Sequence, residues 1–280
     1  MHSRARRRWP VQLTVGAALV GVFVALGLVS LVWTPYDVES LDVAARLAPP
    51  GTDGHLLGTD RLGRDVLTQI MVGARNSLLV AVVSTTAALV PGVLVGLMTA
   101  ASGRAVRETL SRATDVALAL PGILIALVLA TALGPGNATT MIAITAWFVP
   151  VMARVTIGPA RQILAREFVE AARAGGRGTW FILMRHVLPN IGPVIIVQTS
   201  LLFASAILIE AALSYLGVGA QRPTTSWGMV FNEAQAVVGE APSLVLIPGV
   251  IMVVTVLGFN LLGDGLRAVL DPRQTTKAVT

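Results

Sequence analysis

The chain has 280 residues, of which 54% are hydrophobic and 13% charged, with a net charge of +6. A soluble globular domain carries about 25% charged residues, so the polar surface of such a domain is missing. Cysteine is absent, which excludes disulfides, thiolate ligands and thiol nucleophiles.

A membrane span needs roughly 20 mostly apolar residues. Charge-free stretches of that length run from Val11 to Tyr36, Asn76 to Gly103, Val116 to Ala153, Val187 to Ile209 and Ala241 to Gly263. Residues 1–10 read as a basic tail and 11–34 as the first span, uncleaved because the apolar run is long and no small-residue cleavage site follows it. An outside segment, 35–75, comes next. From Arg61 the spacing of Leu62, Val66, Leu67 and Ile70 predicts an amphipathic helix, capped by Thr59 or Asp60, that leads into span two at 77–101. Pro91-Gly92 is a kink candidate in that span. The third charge-free stretch is long enough for two spans. Gly134-Pro135-Gly136-Asn137 divides it, because glycine and proline together break a helix, and this gives spans at 114–133 and 139–157 after a basic loop at 102–112. A polar loop at 158–190 precedes span five at 191–213. A further loop at 214–242 precedes span six at 243–263. No internal repeat is visible. The fold class is all-α, a polytopic membrane protein with about six transmembrane helices.

The basic residues orient it. With the first end inside, 16 of them (Arg4, Arg6, Arg7, Arg8, Arg104, Arg107, Arg112, Arg154, Arg161, Arg166, Arg173, Arg177, Arg185, Arg267, Arg273 and Lys277) face the cytoplasm and 5 (Arg46, Arg61, Arg64, Arg75 and Arg222) face outward. Cytoplasmic loops carry the excess of Lys and Arg, so both termini are expected inside. The same bias explains the positive charge without nucleic acid.

Catalysis finds little support. The only lysine, Lys277, follows Thr276, so the Gly-Lys-[Ser/Thr] of a phosphate-gripping loop is absent and the chain is no P-loop ATPase. An aspartyl intramembrane protease needs Gly-x-Gly-Asp, where this chain has Leu261-Leu262-Gly263-Asp264. A serine type needs Gly-x-Ser-Gly, where Ala100-Ala101-Ser102-Gly103 lacks the first glycine. His2, His55 and His186 fall outside the spans. His55 with Asp53 and Asp60 is conceivable as a metal site, but loop solvation and capping explain these residues more simply. No catalytic residue, cofactor or metal is assigned. Glu210 is the acid placed within a span, near its outer end, where it lines a pathway or bonds a neighbouring span's backbone.

The loop at 158–190 is the most informative segment. Leu164, Phe168 and Ala171 or Ala172 share a helical face, and Gly175-Gly176 stops the helix. A second amphipathic run, Thr179–Val187, ends at Leu188-Pro189-Asn190. Two short helices on a spare surface suggest a docking knob; an ordinary interfacial helix pair is the plainer alternative.

Glu170-Ala171-Ala172, three residues, Gly176, nine residues, then His186-Val187-Leu188-Pro189 resembles the E-A-A signature of permease subunits in bacterial ABC importers. His55-Leu56-Leu57-Gly58-Thr59-Asp60-Arg61-Leu62-Gly63-Arg64-Asp65, Ser214-Tyr215-Leu216-Gly217-Val218-Gly219, Ser226-Trp227-Gly228 and Phe259-Asn260-Leu261-Leu262-Gly263-Asp264-Gly265-Leu266-Arg267 with Asp271-Pro272-Arg273 are similar to the C-type permease of dipeptide, oligopeptide and nickel importers. His186 stands where the general signature has Ile, and Gly175 replaces a larger apolar residue. The resemblance implies a type I ABC importer permease fold. Its transmembrane domain spans 76–273 after an N-terminal part at 1–75, with a tail at 274–280. It implies a non-enzymatic, multi-pass protein of the cytoplasmic membrane that holds half of an alternating-access pathway. Implied partners are a second homologous permease, ABC ATPase subunits or domains, an extracytoplasmic solute-binding protein and the lipid bilayer. Implied cargo is peptide, with nickel chelates, haem and glutathione-like molecules as other members' possibilities. Glu170, Ala171, Ala172, Gly176, Leu188 and Pro189 would couple to the ATPase. Asn137, Trp147, Phe148 and Glu210 are candidates for the pathway, and Arg222 and Trp227 for outside contacts. A channel or exporter without an ATPase is the rival, for which the knob has no use.

Overall fold

The computed structural model describes residues 10–52 and 54–270. The basic residues at 4–8, Asp53 of the conceivable metal site, and the final segment with Asp271-Pro272-Arg273 and Lys277 lie outside the described residues. Among the described residues the fold is helical, with no strand. No cluster of three or more metal-ligating side chains occurs among them.

Helix α1 (Val11–Val29) is followed by an outer segment, and α2 (Val66–Ala101) then runs unbroken for 36 residues. The amphipathic helix expected from Arg61 and span two are therefore one element of about 54 Å. Its cap is Asp65, neither Thr59 nor Asp60. The Asp65 carboxylate accepts from the Thr68 N–H at 2.7 Å, one of the donors that a helix start leaves open. Thr59 and Asp60 instead fold the loop before it. The Thr59 hydroxyl accepts from the Ala48 N–H at 2.9 Å, and Asp60 accepts from the Leu62 and Arg64 N–H groups at 2.7 and 2.9 Å.

The expected span at 114–133 is two helices, α3 (Arg104–Ala119) and α4 (Gly122–Leu133), bent by 78°. Pro121 is the cause: it has no N–H to give and forces Leu120 into the extended region at ψ 124°. Twelve residues of α4 reach about 18 Å, short of the roughly 30 Å apolar core. Among the described residues five helices are long and apolar enough to cross a membrane, and six crossings result when the bent pair counts as one.

The Gly134–Gly136 turn forms as expected, with φ of 84° at Gly134 and 148° at Gly136. Helix α5 (Asn137–Leu164) then descends against α2, the most extensive helix pair of the fold. Small residues set that approach: a Cβ on Gly96 would lie 2.5 Å from Thr156 Cβ, as at helix interfaces in lipid, where backbones approach closely. Beyond α5 come α6 (Glu167–Ala174) and α7 (Thr179–Ile182). Helix α7 does not end before span five. A π-turn at Leu183–Val187 carries it directly into α8 (Leu188–Tyr215). Pro189 would press on the carbonyl four residues back in a regular helix, and the wider π-turn gives that carbonyl room. Helix α9 (Trp227–Gln235) lies in the outer segment, and α10 (Ser243–Leu270) closes the bundle against α1 and α8.

Candidate functional site

Two built regions stand at opposite ends of the bundle. At one end, α6 emerges after Ala165 as a short amphipathic helix. Val169 is fully buried and Leu164 nearly so, while Glu167, Glu170, Ala171 and Arg173 are exposed. Acids at positions 167 and 170 suit the positive end of the helix, and Arg173 suits the negative end. The helix stops as Gly176 turns left-handed at φ 77°. The Gly176 N–H donates to the Arg173 carbonyl at 2.9 Å and the Arg177 N–H to the Ala172 carbonyl at 3.1 Å, the paired bonds of a Schellman ending. Gly175 keeps an ordinary φ of −75°, so Gly176 alone makes the reversal.

Ala171 and Ala172 part ways here. Ala171 is exposed, whereas Ala172 is half-buried against the main core. Leu188 is half-buried and Pro189 exposed at the root of α8. Sequence reasoning set Phe168 on a face with Leu164 but passed over Trp180 and Phe181, which give this knob an aromatic side. Phe168, Trp180 and Phe181 are 46%, 60% and 41% exposed. The His186 ring lies 6.0 Å from Phe168 and 5.8 Å from Phe181, and Arg177 stacks over Phe181 at 4.9 Å. Trp180-Phe181 inside a polar loop was the available signal.

At the other end, Glu210 is fully buried and collects three donors. Ser77 donates at 2.7 Å, Ser214 at 2.8 Å and Asn76 at 3.3 Å, and Ser226 also lies against it. Asn137 in turn donates to the Asn76 carbonyl oxygen. One carboxylate thereby joins α2, α8, the start of α5 and the start of α9. Glu210 thus bonds neighbouring side chains and lines no surface of this chain. Phe148, also fully buried, is likewise a core residue here. Asn137 is half-buried beside a cavity, and Trp147 packs its ring against Gly122 just past the Pro121 bend.

The outer segments lock onto this region. His55 Nδ1 sits 2.9 Å from Asp65, Tyr36 stacks on His55 at 4.5 Å, and Arg64 reaches Glu233 of α9 at 3.6 Å. Arg222, half-buried, donates to both oxygens of Glu233 at 2.8 Å. Trp227 is not available for an outside contact, because it is fully buried. Its indole N–H donates to the Ile70 carbonyl at 2.9 Å, and its ring packs edge-on against Phe23 at 5.4 Å. The His55–Asp65 stretch of the resemblance folds the outer loop onto the head of α2.

The sequence pattern of one family, described as binding-protein-dependent transport system inner membrane component, matches residues 92–276. The dipeptide transport system permease protein DppC of Alkalihalophilus pseudofirmus is 38% identical over 259 residues, covering 92% of this chain and 85% of the relative. The di/tripeptide permease DppC of Pseudomonas aeruginosa is 41% identical over 244 residues, 85% and 80% of the two chains. The glutathione permease GsiD of Pectobacterium atrosepticum is 36% identical over 261 residues, 92% and 87%. Among solved structures, an inward-facing conformation of the MetNI methionine ABC transporter superposes with a TM-score of 0.62 at 18% identity. It covers 72% of this chain and 97% of that one, and at that identity it speaks for the fold.

Proposed function

Since this chain belongs to the family of binding-protein-dependent transport inner membrane components, we propose that it carries peptides inward as one of two homologous permeases. It is a multi-pass membrane protein and the permease subunit of an ABC importer, not an enzyme, and such a permease works with an ATPase and a binding protein. The dipeptide and di/tripeptide permeases among its relatives support dipeptides and tripeptides as the cargo. The positive-inside bias supports cytoplasmic placement of both termini and of the α6–α7 knob.

One observation carries the mechanism: a short, exposed helix ending in a rigid left-handed reversal at Gly176, joined through one continuous helix, α7 to α8, to a span. ATP binding would close the ATPase pair, move the knob and turn the spans from inward- to outward-facing. Nucleotide supplies the differential contact energy between the two states. Glu170, Ala171 and Gly176 form the seated surface in this reading, with Ala172, Leu188 and Pro189 anchoring it to the bundle. Trp147 is the pathway candidate that keeps exposed surface away from the Glu210 hub, whereas Asn137 is tied into that hub through Asn76.

The test is reconstitution. Proteoliposomes holding this chain, the second permease and the ATPase, supplied with the binding protein and a labelled dipeptide, should accumulate label only with ATP inside. ATP-independent uptake would favour the channel reading, and uptake without the second permease would refute the half-pathway.

A further inference from the structure

Arg75 marks the outer edge of the apolar stretch of α2, since the charge-free run begins at Asn76. Its side chain is exposed and makes no ion pair or side-chain hydrogen bond among the described residues. It stands on the wall of a cavity of about 510 Å³. Val72, Arg75, Leu79 and Val82 form one stripe along α2. Leu28 of α1 and Leu31 just beyond its end, with Asn76, Asn137 and Thr224, complete the lining. The two helices approach closely at Gly27, where a Cβ would stand 3.3 Å from the Arg75 backbone nitrogen.

The stripe is graded. Arg75 comes first along α2, and Leu79 and Val82 follow one and two turns deeper, about 6 and 10 Å along the axis. Leu28, Leu31, Leu79 and Val82 are 51%, 62%, 52% and 40% exposed. No acid among the described residues lines the cavity, and none of them pairs with Arg75.

We propose that this groove binds one anionic phospholipid, its phosphate on Arg75 and an acyl chain along Leu79 and Val82. A guanidinium matches a phosphate in bidentate geometry, and basic residues at the membrane surface attract anionic headgroups. The apolar walls lie within a candidate span, where an acyl chain is the natural filler. A peptide cargo would instead need polar groups for its amides along the deeper wall, which Leu79 and Val82 do not offer. The site follows from membrane placement alone and does not depend on what the transporter carries.

The assembled transporter, held in nanodiscs of phosphatidylglycerol and phosphatidylcholine, is released into a native mass spectrometer and its retained lipids are counted. The wild type should keep one phosphatidylglycerol at this site in preference to phosphatidylcholine. Arg75→Gln should reduce that preference about fivefold, the worth of one basic residue at an anionic surface. Leu79→Trp, at an exposed position, should reduce retention of both lipids, with the melting temperature of the complex reporting that assembly survives. Equal retention of the two lipids by the wild type, or full retention by Arg75→Gln, overturns the proposal. So does efficient cross-linking of an Arg75→Cys variant to the second permease, which would mean that a protein covers the groove.

Discussion

Gly176 offers the sharpest perturbation of the knob. Its φ of 77° is left-handed, and a Cβ there would meet nothing within 4 Å. Any penalty on substitution is therefore backbone strain, free of steric clash. A left-handed residue with a Cβ costs roughly 1–2 kcal/mol, and a β-branched one sits at the upper end. That strain bears on an eight-residue helix whose ending depends on the Arg173 and Ala172 carbonyl bonds. One to two kcal/mol lowers the population of the seated form by a factor of about 5–30. Gly176→Val should reach the membrane and assemble at near-normal amounts. Transport and binding-protein-stimulated ATP hydrolysis should fall together by about that factor. Gly176→Asn should stay close to wild type, because Asn adopts the left-handed region readily, and Gly176→Ala should fall between. Rates are measured in proteoliposomes, with assembly followed by co-purification of the two permeases. A valine variant at the wild-type rate would refute the conformational argument. An asparagine variant as impaired as valine would point to a side-chain contact with the ATPase in place of strain.

Three further outcomes follow from the packing. Glu210→Leu leaves Ser77, Asn76 and Ser214 without their acceptor in the core, at about 1–3 kcal/mol per stranded group. The melting temperature of the complex should drop well below that of Glu210→Gln, and equal melting temperatures would remove the hub. Trp227→Phe keeps an aromatic ring but loses the fused pyrrole ring and with it the 2.9 Å bond to Ile70, which alone is worth about 1 kcal/mol. Gly73→Val, whose Cβ would lie 2.5 Å from the Trp227 ring, should be the more damaging of the two in the same melting assay. In this cysteine-free chain, Ser40→Cys should react with an impermeant thiol reagent added outside cells, whereas Gly178→Cys and Ser3→Cys should not; the reverse pattern would invert the topology.

The apolar stretches, the turn at Gly134–Gly136 and the reversal at Gly176 were legible because each depends on residues adjacent in the chain. The bend at Pro121 was written in the sequence as well, but a charge-free run of such length masked it: hydropathy counts apolar residues and is blind to direction. Asp65 was overlooked as a cap because the amphipathic spacing begins several residues earlier, and only the folded loop decides which carboxylate meets the open N–H. Bonding to a neighbouring span was one of the two readings open for Glu210, but its side-chain partners, like the burial of Trp227, were not legible. Ser77 lies 133 residues from Glu210 and Ile70 lies 157 from Trp227, and no local pattern announces such pairs. The E-A-A resemblance pointed to the knob, yet it treated Ala171 and Ala172 alike. The burial of Val169 at 0% exposure sets the helix rotation that turns Ala172 inward.

That rotation decides how the central claim is tested. Ala172→Arg would strain the chain's own packing, whereas Ala171→Arg adds bulk and charge only on the exposed face of α6. The decisive measurement is ATP-driven peptide uptake by the complex carrying Ala171→Arg, with both permeases shown to assemble. Uptake and stimulated ATP hydrolysis lost together, with assembly intact, is the result predicted for a knob that seats in the ATPase. Uptake at the wild-type rate would mean that force reaches the spans by another route.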